Sequence, residues 1–298
     1  MKSGDWSFRP PLSALVLCAG LATLGGAALA AGLHRSPERA WLNLLLVSYF
    51  LLSLGLGGLV FIATQYVSGA GWSVSLRRVP EAMAAVVPVA ALGLGAVFLA
   101  RPSLYPWAGA AAGEGGAVNP LRQAWFNPPF FLARAAFYLA CWIGLGLALV
   151  RTSRRQDRDG DPAHSRTNVR LSALFLVVFA VTFWLATQDW LMALDAGWSS
   201  TIFAVYQFGG LFLGGLAGIT LLAGRWLDVY LQVVPPSGGT PTAGIAWEIG
   251  LAAGAAGLFA LVFFAALGRA AIIPVRDPFL SESLQELDRE PVHRFASR

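Results

Sequence analysis

Long apolar runs, bounded by Pro, Arg or short polar stretches, dominate the chain. Seven of them approach or exceed the roughly 20 residues that a helix needs to cross a bilayer core. The predicted spans are Pro11–Leu33, Trp41–Gln65, Pro80–Ala100, Pro128–Val150, Leu171–Trp190, Ser200–Ala223 and Ala243–Leu267. The runs lack the period-two alternation of a barrel strand, so the pattern predicts an all-α integral membrane protein.

Composition agrees with a membrane protein. Of 298 residues, 56% are hydrophobic and only 12% are charged, against about 25% charged in soluble domains. These values, with a mean hydropathy of +0.62, exclude disordered, collagen-like and disulfide-framework classes. About half of the charges fall in two short segments, 151–170 and 276–298. We therefore predict a transmembrane domain over 1–274, interrupted by a charged cytoplasmic loop at 151–170, and a soluble tail over 275–298.

The positive charges predict the topology. A cytoplasmic N-terminus places Lys2, Arg9, Arg77, Arg78 and the six arginines of segment 151–170 on the inner side, which satisfies the positive-inside rule. The net charge of +5 is then explained by basic residues that flank the spans and set their topology, so no nucleic-acid partner is predicted. The first span also has features of a signal peptide, with Ala28-Leu29-Ala30 as the cleavage site. Its apolar run is longer than such a peptide needs, which favours a retained helix.

The sequence predicts no cofactor bound by this chain. Cys18 and Cys141 lie inside apolar runs, and a disulfide framework or a thiolate metal site is not indicated. His34, His164 and His293 all lie outside the apolar spans. Histidines on facing transmembrane helices could therefore not hold a haem.

Few polar residues fall within or beside the predicted spans, and these are the candidate site residues. Ionisable groups at membrane depth usually have a partner or a function. Six candidates lie toward the predicted outer side: Arg134, Tyr138, Gln188, Asp189, Tyr206 and Gln207. Two hypotheses stay open for them, namely a buried Arg134–Asp189 ion pair that fixes packing and a polar half-channel for protons or water.

Two further carboxylates complete the candidate set. Glu81 follows Pro80 directly, where a helix N-terminus favours a carboxylate and Arg77 and Arg78 are close in sequence. Capping and proton chemistry are both open for it. Glu248 lies early in the last span.

Several stretches resemble one family. Gly57–Phe61, Gln65–Ser73 and Arg77–Met83 resemble the second-to-third helix connection of the ActF-type subunit of alternative complex III, a bacterial quinol:cytochrome c oxidoreductase. Gln188–Asp195 with Trp198–Tyr206 is similar to that family's fifth-to-sixth connection. Arg225–Tyr230 with Val234-Pro235 resembles a motif near its penultimate helix.

The resemblance implies a membrane subunit related to the polysulfide-reductase or NrfD-like anchors, in the bacterial inner membrane. Its helices would form two four-helix bundles with flanking helices. Haem c and iron–sulfur clusters would belong to partner subunits, and quinol would be oxidised mainly at a sister anchor. The expected role is to assemble the membrane arm and to contribute to a proton path, with the lipid bilayer, other subunits and quinone as partners.

The chain departs from the family in helix number. Arg225 follows the sixth span almost directly, whereas the family has this motif about three helices later. The chain therefore has about three helices fewer than the family pattern. We therefore expect one four-helix bundle and a partial second one, either from a natural deletion or from a sequence that lacks part of the chain. The alternative functions are a quinol-binding anchor of another redox enzyme and a small-solute transporter.

Overall fold

The computed structural model describes residues 11–100, 104–108, 124–195, 198–217 and 245–269. These residues form α-helices and short 3₁₀ turns, and no strand occurs among them. The helices are α1 (Leu12–Arg35), α2 (Pro37–Ser68), α3 (Arg78–Ala84), α4 (Val87–Ala100), α5 (Pro128–Asp159), α6 (Ala163–Trp190), α7 (Phe203–Ala217) and α8 (Ile245–Leu267). The all-α prediction is confirmed.

Five helical segments in the described ranges are long and apolar enough to cross a membrane. They are α1, α2, α3 together with α4, α5, and α6 with the turn that follows it. The apolar stretches Phe203–Leu216 and Gly250–Ala266 of α7 and α8 are shorter. The chain is thus a multi-pass α-helical membrane protein.

Helix α2 is the centre of the fold. Its most apolar 18-residue window is 94% buried inside the protein. It packs against α4 and α6, and α5 contacts both of these, so α2, α4, α5 and α6 form a four-helix bundle. Helices α1 and α8 pack against each other and also contact α2, whereas α7 contacts α2 and α6. Because α2 has neighbours all round, it is apolar on every face.

Glycines allow the closest helix contacts. A Cβ added to Gly25 of α1 would lie 2.4 Å from the Cα of Gly254 in α8. A Cβ on Gly57 of α2 would lie 2.7 Å from the carbonyl oxygen of Leu211 in α7. Small residues let backbones approach in this way in membrane bundles. The first contact joins α1 to α8, and the second joins α7 to the central helix α2.

Several helices differ from the predicted spans. Helix α2 begins at Pro37 and ends before Gly69, which adopts φ 65° as a left-handed C-cap. The predicted span Pro80–Ala100 is two helices, with a break at Ala85 and Val86. Pro88 explains the break, because proline has no N–H to donate to the carbonyl of residue 84.

The predicted loop at 151–170 is mostly helical, so that prediction was wrong. Helix α5 continues to Asp159, and Gly160 ends it at φ 72°. Helix α6 begins at Ala163, so only residues 160–162 connect the two helices. Arginine and glutamine are good helix formers, and the buried Ser153 and Gln156 give this stretch a packed face. Charge density alone had suggested a solvated loop.

Helices α7 and α8 lie within the predicted spans Ser200–Ala223 and Ala243–Leu267. Residues 218–244, which include the motif Arg225–Tyr230, and the predicted tail 275–298 lie outside the described residues.

Candidate functional site

One buried polar cluster lies where the start of α5 meets the end of α6; we call it the Asp189 cluster, and it comprises Trp125, Arg134, Tyr138 and Asp189. Arg134 donates from Nε to Asp189 Oδ2 at 3.0 Å. Trp125 donates from Nε1 to Asp189 Oδ1 at 2.9 Å, and the Tyr138 hydroxyl lies 3.5 Å from Oδ2. Asp189 is 1% exposed and Arg134 is 7% exposed.

The Arg134 guanidinium is held by more than the carboxylate. It donates from Nη1 to the carbonyl of Trp125 at 2.8 Å. Its Cζ lies 4.1 Å from the ring centroid of Trp125 and 4.5 Å from that of Phe130, in cation–π contact. Its Nη2 is buried without a hydrogen-bond partner among the described residues. The ion pair therefore has rigid aromatic walls and one unused donor.

Helix ends explain why these residues meet. Asp189 lies in the last turn of α6, where the helix dipole disfavours a negative charge. A nearby cation compensates for it, and Arg134 supplies that charge from the antiparallel α5. Tyr105 also caps this end, because its hydroxyl donates to the Trp190 carbonyl at 3.1 Å.

A second buried cluster lies at the opposite ends of these helices; we call it the Glu81 cluster, and it comprises Arg78, Glu81, Ser153 and Asp157. Arg78 forms ion pairs with both Glu81 and Asp157. Ser153 donates to Glu81 Oε1 at 2.5 Å and accepts from Arg78 at 3.2 Å. Arg78 and Glu81 are 3% and 2% exposed. Glu81 thus pairs with side chains of α3 and α5.

Polar contacts between α2 and α6 lie near the Glu81 cluster. Asn168 donates from Nδ2 to the Tyr66 hydroxyl at 2.9 Å. The Arg77 guanidinium stacks over the Tyr66 ring, with Cζ 4.4 Å from the centroid. The Asn168 Oδ1 and the Ser172 hydroxyl are buried without a hydrogen-bond partner in the described part of the chain. This end of the bundle is therefore polar from α2 through α3 and α5 to α6.

Helix α5 connects the two clusters. Arg134, Tyr138, Trp142 and Gly146 follow each other at four-residue spacing and are all buried, so they share one face. The Tyr138 and Trp142 rings stack with centroids 6.4 Å apart. Trp142 donates from Nε1 to the Thr182 hydroxyl at 2.8 Å, which is the polar contact of α5 and α6 between the clusters.

A cavity of about 210 Å³ lies between Trp142 and Glu81. Its walls are mainly apolar side chains of α2, α4 and α5, together with the end of α8. Three charged side chains, Glu81, Arg154 and Arg269, also line it. Leu147, another wall residue, is 40% exposed, so the cavity reaches the outside of the bundle.

The contacts described for the Asp189 cluster include none from Gln188, Tyr206 or Gln207. The Oε1 atom of Gln188 is buried without a partner among the described residues. Tyr206 is 51% exposed, whereas Gln207 is fully buried, with its Oε1 3.5 Å from the Tyr49 hydroxyl of α2. Glu248 lies in α8, and its side chain falls outside the described residues.

Sequence reasoning missed four members or neighbours of the clusters: Tyr105, Trp125, Ser153 and Asp157. Trp125 was not among the candidate site residues, although a buried indole N–H usually needs an acceptor. Ser153 and Asp157 were assigned to a solvated loop. Their spacing of four, in line with Leu149, was the available signal that α5 continues.

The fold and these clusters define a polytopic α-helical membrane protein whose buried charges are paired at both ends of one four-helix bundle. Among the described residues, no group of three or more His, Cys, Asp or Glu side chains is placed to hold a metal ion. No protein-family model matches this chain, and no curated protein matches it either.

Proposed function

We propose that this chain is a membrane-embedded, non-catalytic subunit of a respiratory quinol:cytochrome c oxidoreductase of the alternative complex III type. In this role it scaffolds the membrane arm in the bacterial inner membrane, with its N-terminus in the cytoplasm. Quinol, haem c and iron–sulfur clusters are bound by partner subunits.

One observation carries the proposal: the stretches that resemble the ActF-type family contribute charged residues to both clusters. The first of these stretches includes Arg77–Met83 and contributes Arg78 and Glu81 to the Glu81 cluster. The second, from Gln188, supplies Asp189. Two motifs far apart in sequence thus fix the two ends of one bundle, as expected if they were selected to hold a defined helix arrangement. A scaffold needs such an arrangement, because partner subunits must meet a rigid surface.

Co-purification from native membranes tests the proposal. A tagged full-length chain is expected to isolate with haem-containing and iron–sulfur subunits, and the chain purified alone should show no haem absorbance. Isolation of the chain as a self-sufficient monomer would overturn the proposal. Solute uptake by vesicles that hold this chain alone would favour the transporter, and quinone extracted with it would favour a quinol-binding anchor.

A second candidate function is a proton path. The observation in its favour is the α5 face that runs from Arg134 through Tyr138 and Trp142 toward the cavity at Glu81. The mainly apolar cavity wall argues against it, because apolar cavities stay dry. Asp189→Asn should lower the protons moved per electron in an assembled complex if the path exists. Loss of the whole complex would instead favour a structural ion pair.

A further inference from the structure

The cavity at the Glu81 end of the bundle carries two arginines, Arg154 and Arg269, that form no ion pair with a carboxylate among the described residues. Arg154 is partly buried, and its Nη2 donates to the Ala266 carbonyl at a long 3.4 Å. Its Nε is buried without a hydrogen-bond partner among the described residues. Arg269 lines the same cavity from just beyond the end of α8. Two guanidinium groups therefore face one cavity.

The nearby carboxylates do not balance these charges. Glu81, which also lines the cavity, and Asp157 are both bound by Arg78. Among the described residues that line the cavity, two arginines thus face one carboxylate, and Arg78 already pairs with that carboxylate. An anion at Arg154 and Arg269 would therefore be electrostatically favoured.

The rest of the cavity is apolar and suits a hydrocarbon chain. Leu59, Ala84, Val87, Ile143, Leu147 and Val150 line it. Since Leu147 also faces outward, the cleft opens toward the surface that the bilayer covers. A ligand that fits both parts has an anionic head and an apolar tail.

We propose that this cleft binds an anionic phospholipid, with the phosphate on Arg154 and Arg269 and part of one acyl chain between α4 and α5. Guanidinium groups match phosphate oxygens in a bidentate geometry. Basic pockets between transmembrane helices are a known form of lipid headgroup site. The bilayer supplies this ligand at high local concentration, whereas a soluble anion would leave the apolar wall unfilled.

Native mass spectrometry of the full-length chain tests the proposal. The protein is exchanged into detergent with equal amounts of phosphatidylglycerol and phosphatidylethanolamine of identical acyl chains. The wild-type chain should retain phosphatidylglycerol preferentially. Arg154→Gln with Arg269→Gln should weaken that retention roughly 30-fold, since each arginine near an anionic headgroup contributes about a factor of five. The matched control is Arg151→Gln with Arg155→Gln, because both side chains are exposed on the same helix.

A second variant separates the apolar part of the site from its charges. Ala85→Phe fills the cleft and leaves both arginines in place, so it should also reduce phosphatidylglycerol retention. Inorganic phosphate at millimolar concentration should not displace the lipid, whereas displacement would indicate a free-anion site. Equal retention of both lipids, or equal loss in the control with Arg151 and Arg155 replaced, would overturn the proposal. Unchanged helicity by circular dichroism in every variant excludes misfolding as the cause.

Discussion

Asp189→Asn tests whether the Asp189 cluster holds the bundle together. Asp189 accepts two well-formed hydrogen bonds, from Arg134 at 3.0 Å and from Trp125 at 2.9 Å. Asparagine keeps one acceptor oxygen and presents an NH₂ group in place of the other. One donor therefore faces another donor, and the Arg134 guanidinium loses its counter-charge in a buried site.

The structure sets the size of the effect. Breaking a buried ion pair from one side costs about 3–5 kcal/mol, because the remaining charge is uncompensated. Polar contacts in membrane proteins fall at the lower end, since the unfolded state in lipid also finds partners. We expect a loss of about 3 kcal/mol, which corresponds to a fall in Tm of about 6–12 °C.

Thermal unfolding in detergent, followed with a thiol-reactive dye, measures this change. Cys18 is buried and Cys141 is partly buried, so both native thiols report unfolding. The matched comparison is Glu81→Gln. It should cost about 1 kcal/mol, because Arg78 keeps its ion pair with Asp157 and the new amide keeps an acceptor oxygen for Ser153.

A double variant distinguishes an unpaired charge from lost packing. Arg134→Met with Asp189→Leu removes both charges and should be more stable than Asp189→Asn alone, because no isolated guanidinium remains. A Tm for Asp189→Asn within about 2 °C of wild type would refute the reasoning, since a loss of about 3 kcal/mol should exceed it. So would a double variant less stable than the single one.

Two further changes probe the helix contacts. Gly25→Ala should destabilise the α1–α8 contact by about 1–3 kcal/mol, because the added Cβ would lie 2.4 Å from the Gly254 Cα. The control Gly26→Ala should be neutral, because its Cβ meets nothing within 4 Å. Equal Tm values for the two variants would contradict this prediction. Trp142→Phe should cost about 1 kcal/mol through the lost 2.8 Å hydrogen bond to Thr182. A double-mutant cycle with Thr182→Val should show coupling, and purely additive losses of unfolding free energy would contradict the prediction.

Hydrophobic run length predicted the helical class of the protein because burial in lipid leaves few alternatives. It did not predict their ends. Helix α5 continues well past its last apolar residue, to Asp159, since Ser153 and Gln156 gain buried partners there. Such partners come from α3 and α6, and a single-segment pattern does not contain them.

For the Asp189 cluster too, the sequence predicted part of the arrangement but not the contacts that depend on other helices. Depth arguments from the sequence placed Arg134 and Asp189 together, because both lie near the predicted outer ends of neighbouring antiparallel spans. Depth in the membrane does not show which face of its helix a residue lies on. Tyr206 and Gln207 were therefore grouped with Arg134 and Asp189, although Tyr206 is 51% exposed and Gln207 contacts Tyr49. Trp125 could not be predicted because its position depends on how the chain enters α5.

The clusters and the glycine contacts together explain how a bundle with so few charges acquires a defined packing. Between helices in lipid, apolar surface provides little net driving force, since lipid tails are as apolar as leucine. Close glycine contacts, such as that between Gly57 of α2 and the backbone of α7, set how near the helices approach. Paired charges at the two ends of α5, with the Trp142–Thr182 bond between them, then fix its rotation and height against α3 and α6. Sliding α5 by one turn would break all three contacts at once, which makes the observed register the favoured one.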